Sequence, residues 1–433
     1  MRIYRLSLAA LCMVVLALAG CSKGGNNGSN AQLRVVNALS EAPALNVTVA
    51  STAAASALPF QGLTTYVSVP SGSQIITVGV AGAATTLVNA TNILNSSTNY
   101  SYVIFGPLTA VGAMLNNDTF ADPGSGFFAL RIVNAAPGLS AIDIYLTAPG
   151  ADITSSAPTL TNVSYGVATA FSPIAIGPSF EIRVTPTGTK SVIFDSTPKT
   201  FAEHSGTDLI VYGAGSGSLV NAALLNHDSS GTGTTVNNLL AQYKFINASL
   251  VPSPLNVFID GTLQLSNIPP SGVSNYQKTS AGAHNFSIEA TSTPGASLLA
   301  LSQTLAPATD TSIALTGTAG ALAALVLHDD NLPPPAGTAG VRVVNTSASG
   351  DSFDVFVNFS KQVAGLTVNT ASPYLNFNAA ANVGTVYEFD FNVAGTTTVV
   401  LKLAAVALAS SHKYTIYLTG PTTALQGIVT QDF

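Results

Sequence analysis

"LRIVNAAPGLSAIDIYL", residues 130–146, reads as two short apolar strands around a turn, with Arg131 and Asn134 set into otherwise apolar sequence. The same text returns three times, as "LRVVNALSEAPALNVTV" from Leu33, "YKFINASLVPSPLNVFI" from Tyr243 and "VRVVNTSASGDSFDVFV" from Val341. Its Asn falls at Asn37, Asn134, Asn247 and Asn345, at separations of 97, 113 and 98 residues. Such intervals match the usual length of one domain, about 100 to 200 residues, so the chain is expected to hold four.

The rest of each interval repeats too. An apolar alternating stretch broken by Gly or Pro follows ("TYVSVPSGSQIITVGV" in the first unit), then an aromatic or branched strand ("NYSYVIFG"), then a closing strand: "AMLNND", "ALLNHD", "LVLHDD" or "GIVTQDF". Period-two alternation, many Val, Ile and Thr residues and turn residues every eight to twelve positions predict an all-β chain. Four tandem immunoglobulin-like or transthyretin-like β-sandwich domains are expected, over residues 33–122, 129–228, 241–332 and 341–433. "SLLALSQTLA" at 297–306 comes nearest to a helical pattern, but the neighbouring repeats place a strand there. Residues 229–240 read as a polar linker and 333–340, with three consecutive prolines, as a stiff extended spacer.

Hydrophobic residues make up 47% of the 433-residue chain and charged ones 8%, with a net charge of −6. The charged share is far below the roughly 25% of an average soluble protein, so the polar surface must come from Ser, Thr, Asn and Gly. No basic stripe is present that would bind nucleic acid, and no basic cluster that would hold anionic lipid.

The first thirty residues, "MRIYRLSLAALCMVVLALAGCSKGGNNGSN", have a basic start at Arg2 and Arg5 and an apolar run from Leu6 to Ala19. That run is short for a membrane span, which needs about 20 residues, and fits a secretory signal. Leu18-Ala19-Gly20-Cys21 resembles a bacterial lipobox. The resemblance implies a lipoprotein signal peptide over 1–20, cleavage before Cys21, and acyl chains on Cys21 that hold the protein to a lipid bilayer. An ordinary signal peptide with a chance Cys is the alternative. Ser22 after the Cys implies, by resemblance to sorted lipoproteins, the bacterial outer membrane, and residues 21–32 read as a flexible tether. Cys12 lies in the segment to be removed, which leaves no disulfide.

The opening pattern, R-V-V-N-A-s-P-x-a-x-x-x-D-V-Y-V, resembles the bacterial family of domains of unknown function numbered 4397, found in secreted and cell-surface proteins. "LRIVNAAPGLSAIDIYL" matches it best. The third unit departs by carrying Lys244 for Arg, and the fourth lacks the Pro. The resemblance spans about residue 31 to 433 and implies a β-sandwich module without a known activity.

Arg34, Arg131, Lys244 and Arg342 each sit one residue into an opening strand, and the closing strands end at Asp118, Asp228, Asp329 and Asp432. With so few charges in the chain, a cation and a carboxylate at matched places are expected to meet as an ion pair closing each sandwich. The four Asn residues precede turns rich in Ala, Ser and Pro, and are expected to bond to backbone two residues on. In the second strand the polar position is Asn46, Asp143, Asn256 and Asp354; a catalytic acid would not alternate with an amide.

His204, His227, His284, His328 and His412 are scattered, which speaks against zinc. Asp118 stands with Asn116, Asn117 and Asp122 at one junction, and Asp329 and Asp330 with Asn331 at another. Those oxygen-rich stretches make Asp118, Asp329 and Asp330 weak candidates for calcium. A hydrolase would call for a nucleophile elbow, and "GAGSGS" at 213–218 has a different spacing and β surroundings. An outer-membrane barrel, whose last residue is also commonly aromatic like Phe433, would need aromatic girdles; the chain has no Trp.

The expected protein is thus a membrane-anchored surface or periplasmic lipoprotein. Its expected role is as a structural or adhesive module that contacts protein or glycan, with no cofactor and no catalytic residues. A calcium-stiffened rod is the alternative, and a hydrolase ranks behind it.

Overall fold

The computed structural model describes residues 30–381 and 384–433. The expectations for residues 1–29, Cys21 and its lipid among them, lie outside the described residues. Among the described residues the structure is all-β, with one short 3-10 turn at Thr422–Ala424. No described helix is long and apolar enough to cross a membrane.

The first unit shows the plan. Its strands are β1 (Ala31–Asn37), β2 (Ala44–Val49), β3 (Thr52–Pro59), β4 (Val67–Val69), β5 (Gly72–Val80), β6 (Thr86–Leu94), β7 (Asn99–Phe105) and β8 (Gly112–Asn117). They form two four-stranded sheets, β4-β1-β7-β8 and β3-β2-β5-β6. Within the first sheet β1 runs parallel to β7, and every other pair is antiparallel. Leu33, Val35, Val47, Ile76 and Tyr102 close the core between the sheets. The same plan recurs three times, with opening strands at Phe127–Ala135, Leu240–Asn247 and Thr338–Asn345, so the chain is a tandem array of β-sandwiches. The segment around Ser297–Leu305 is a strand.

Opening strands are buried along nearly their whole length rather than on alternate residues. The cause lies between units. One face of β1 looks into its own sandwich, and the other packs on the matching sheet of the second unit. Val36, Val103 and Phe105 of the first unit meet Val133, Ile210 and Tyr212 of the second in one apolar cluster. Ile246 and Ala314 of the third unit meet Val344 and Tyr417 of the fourth in the same way. The four sandwiches are therefore two face-to-face pairs, and not four separate beads on a string.

Segments expected as linkers take part in the fold. Gly233–Val236 pairs antiparallel with Val220–Asn226 and adds a strand to the second unit. Asn238 is buried, donating to Ile193 and Val220 carbonyls at 3.1 Å each. Thr338, within the expected Pro/Gly spacer, begins the fourth opening strand.

Candidate functional site

An Arg one residue into a buried strand needs counter-charge and acceptors nearby, because an unpaired buried charge is costly. Both are supplied, largely by the partner unit. Arg131 of the second unit binds Asp208 with two nitrogens, at 2.8 and 2.7 Å, and Asp118 of the first unit at 2.8 Å. Its third nitrogen donates to the Asn117 carbonyl of the first unit at 2.6 Å. Arg34 mirrors this across the interface, donating to the Asn226 carbonyl of the second unit at 2.7 Å and lying 3.4 Å from Asp118. In the second pair, Arg342 of the fourth unit binds Asp329 of the third at 2.6 Å, and Lys244 of the third binds Asp432 of the fourth at 2.5 Å. Each cluster thus holds two fixed cations and two carboxylates, all buried.

A ring lies under every cation: Tyr66 at 4.8 Å from the Arg34 guanidinium carbon, Phe171 at 4.5 Å from that of Arg131, Tyr276 at 4.6 Å from the Lys244 ammonium and Tyr374 at 4.9 Å from Arg342. Desolvated cation–π contacts of this kind contribute about 2 kcal/mol. The three tyrosines also donate to the carboxylates Asp118, Asp329 and Asp432, at 2.7, 2.6 and 3.1 Å. Burial, and then the neighbouring carboxylate, push all three phenols far above their ordinary pKa, so they remain donors.

The second unit departs at three linked positions. The residue paired with the cation on the parallel strand is Ser101, Ser312 or Thr415 in the other units, but Asp208 in the second. By strand register, the place of Asp118 falls to His227 and that of the tyrosine hydroxyl to nothing, since Phe171 has none. The carboxylate has moved one strand over. His227 then bridges: its Nδ1 lies 3.1 Å from Arg34, which can only donate, so its proton sits on Nε2 and goes to Asp208 at 2.8 Å. Burial opposes the charge of Asp208, yet the hydrogen bond from His227 and the Arg131 guanidinium hold its pKa below the usual carboxylate range.

The expected partner Asp228 is elsewhere. It is exposed and caps its own turn, accepting from Ser230 N at 2.9 Å and Gly231 N at 3.1 Å. The "NHD" of the second unit is shifted by one residue against the "NND" of the first, so that Asn226 and not His227 takes the register of Asn117. The pairing expected within each sandwich is found at longer range in two units, Arg34 with Asp118 at 3.4 Å and Arg342 with Asp432 at 3.8 Å, while the shorter contacts of Asp118, Asp329 and Asp432 go to the cation of the neighbouring unit. The four rings are no part of the expected site, although a spacing marks three of them: Tyr66, Tyr276 and Tyr374 each follow their cation by 32 residues, and Phe171 follows by 40.

Each motif Asn is fully buried, and its Oδ1 accepts the N–H two residues on: Leu39, Ala136, Ser249 and Ser347, at 3.1 to 3.4 Å. Its Nδ2 donates across to the other sheet, to Leu58, Val163, Ile268 or Leu366 carbonyls at 2.9 to 3.2 Å. The alternating Asn46, Asp143, Asn256 and Asp354 accept from the backbone of Ala57, Asn162, Asn267 and Gly365. All four donors have positive φ, between 45° and 61°. An acceptor is what this place requires, and Asp and Asn both supply one.

Ligand atoms of Asp118, Asp208 and His227 lie within 4.8 Å of one another, as a metal site would have them. The guanidinium groups of Arg34 and Arg131 already stand against this trio, and a divalent ion would have to displace them. The calcium candidates are engaged likewise: Asp329 by Arg342, Ser312 and Tyr276, and Asp330 by Lys413 at 2.8 Å. Three histidines pair with an acid: His227 with Asp208, His204 with Asp122 and His284 with Asp260. The remaining nitrogen of His227 faces Arg34 and that of His284 the Ser280 carbonyl, so neither meets a hydroxyl nucleophile.

None of the curated proteins compared with the chain matches it. Among solved structures, the carbohydrate-binding module CBMbc (family CBM26) of Eubacterium rectale Amy13K, in complex with maltoheptaose, is similar at 13% identity and TM-score 0.16, over 48% of this chain and 95% of that one. The Bacillus anthracis TIE protein is similar at 9% identity and TM-score 0.16, over 87% of this chain and 65% of that one. A profile of the domain of unknown function DUF4397 matches residues 31–145, 241–351 and 339–433. The gap covers most of the second unit, where ring, hydroxyl and carboxylate have been exchanged together. With its repeats so matched, the chain belongs to the DUF4397 family.

Proposed function

We propose that this protein is a lipid-anchored module of the bacterial outer membrane, on its periplasmic face or at the cell surface, with a structural or adhesive role toward protein or glycan. The observation that carries this reading is the use of the buried charge. A cation from each of the four units joins carboxylates in balanced clusters that link units in pairs, and each guanidinium nitrogen of Arg34, Arg131 and Arg342 has an acceptor. A rigid support for exposed loops and strands is what such clusters provide. The calcium-stiffened alternative has less behind it, because Asp118, Asp329 and Asp330 each hold an Arg or Lys. Cys21 supplies the anchor in this reading, three acyl chains being ample for stable attachment.

The test is direct. Intact-mass analysis of the mature protein is expected to begin at Cys21 with added acyl mass, and Cys21→Ser is expected to move it from the membrane to the soluble fraction. An unmodified Cys21 rejects the anchor.

A further inference from the structure

We infer that the hairpin tip at Phe359 in the fourth unit is a stacking platform for a sugar ring of a neutral polysaccharide; this deepens the binding role proposed above and rests on it. Asn358 and Phe359 connect Phe353–Val357 to Ser360–Leu366 in a two-residue turn with both φ values positive, 45° and 67°. Such turns favour Asn or Asp followed by Gly. The third unit has that solution at the same place, Asp260 and Gly261, with φ of 48° and 79°. Phe359 therefore sits where a bulky side chain is disfavoured. Its ring gains no burial in return, being 79% exposed, the most of any large apolar side chain among the described residues. Burial gives no reason for a Phe here, and strain of this sort collects at functional positions.

The surroundings select the partner. Lys402 lies 5.7 Å from the ring centroid and binds Glu388 at 2.8 Å and Asp390 at 3.4 Å. Beside them Lys361 binds Asp354 at 2.7 Å and lies 5.3 Å from the Phe356 ring. Two ammonium groups thus face three carboxylates, so both cations are engaged locally and the face offers no positive excess to an anionic ligand or membrane. A lone exposed ring among charged side chains is also far short of the roughly 800 Å² per partner of a stable protein interface. A pyranose suits it: the C–H face of the sugar covers the aromatic ring, and its hydroxyls meet Lys402, Glu388 and Asn358.

Affinity electrophoresis of the full chain through gels containing amylose, xylan or glycol chitin tests this. At least one polysaccharide is expected to retard the wild type. Phe359→Gly is expected to weaken that retardation at least tenfold while its thermal midpoint stays equal or rises, and Phe359→Tyr to keep it. Phe359→Ala serves as the second truncation should the Gly variant misfold. Retardation that Phe359→Gly and Phe359→Ala leave unchanged overturns the site but keeps the binding role, and no retardation by any of the three overturns the sugar assignment. The state of Cys21 bears on neither outcome, so the anchor stands or falls separately.

Discussion

At the scale of single residues, Arg131 and Asp228 were expected to be partners and instead occupy opposite extremes of environment. Removing one side of a buried pair leaves the other charge uncompensated, at a cost of about 3 to 5 kcal/mol. Arg131→Met takes a guanidinium from both Asp118 and Asp208, so the unfolding free energy from a urea titration is expected to fall by that much, whereas Asp228→Asn is expected to stay within about 0.5 kcal/mol of the wild type. A second residue-scale effect belongs to Asp195. Burial, and then the hydrogen bond to Glu181, raise its pKa to about 7, while Arg183, 3.3 Å away, serves both carboxylates. A folded pKa above the unfolded value means that the contribution is full below the unfolded pKa, about 4, and is lost as pH rises toward 7. Asp195→Asn is therefore expected to flatten the pH dependence of stability between about 4 and 7 and to gain stability at pH 8, as read by thermal unfolding. Asp208 runs the other way. Its depressed pKa stabilises above the ordinary carboxylate range, and that contribution disappears in acid.

At the scale of elements, the sandwich hairpins owe their shape to one acceptor facing a positive-φ residue. In the third unit Asn256 accepts the Asn267 N–H at 2.9 Å, next to the register shifts that bend the strand pair. Asn256→Asp keeps the acceptor and is expected to leave stability nearly unchanged. Asn256→Val loses the acceptor and is expected to cost about 1 to 3 kcal/mol, measured in the same denaturant titration. The turn chemistry of the motif Asn was readable from the text, because an Asn before a turn bonds locally. Its second bond, across to the other sheet, was not, since the carbonyl it reaches is between 21 and 29 residues away.

At the scale of the whole molecule, the cross-unit clusters predict two cooperative blocks. Hydrogen exchange of Arg131→Met is expected to lose protection in the strands of the first and second units together, while those of the fourth remain as in the wild type. Loss confined to the second unit alone would contradict the pairing. Units two and three also touch: Lys278 donates to Ser191 and the Val192 carbonyl at 2.6 Å, and Gln242 donates to the Ser216 carbonyl at 3.2 Å. These contacts are polar, and those of Lys278 are open to solvent in part, so they are expected to transmit less than the apolar clusters within a pair.

Period-two alternation, turn residues and a fourfold motif were enough to determine an all-β chain of tandem sandwiches, because each depends on neighbours in sequence. The continuous apolar runs of the opening strands, such as "LRVV" and "FALRIVNA", already carried the mark of burial on both faces. What covers the second face was left to the tertiary structure. Likewise, repeat spacing identified which cations and carboxylates recur, but strand register decided that they bridge units and that Asp208, not Asp228, completes the first cluster. A buried charge pairs with whatever acceptor the packing brings within about 3 Å, and one residue of register moves that acceptor out of reach.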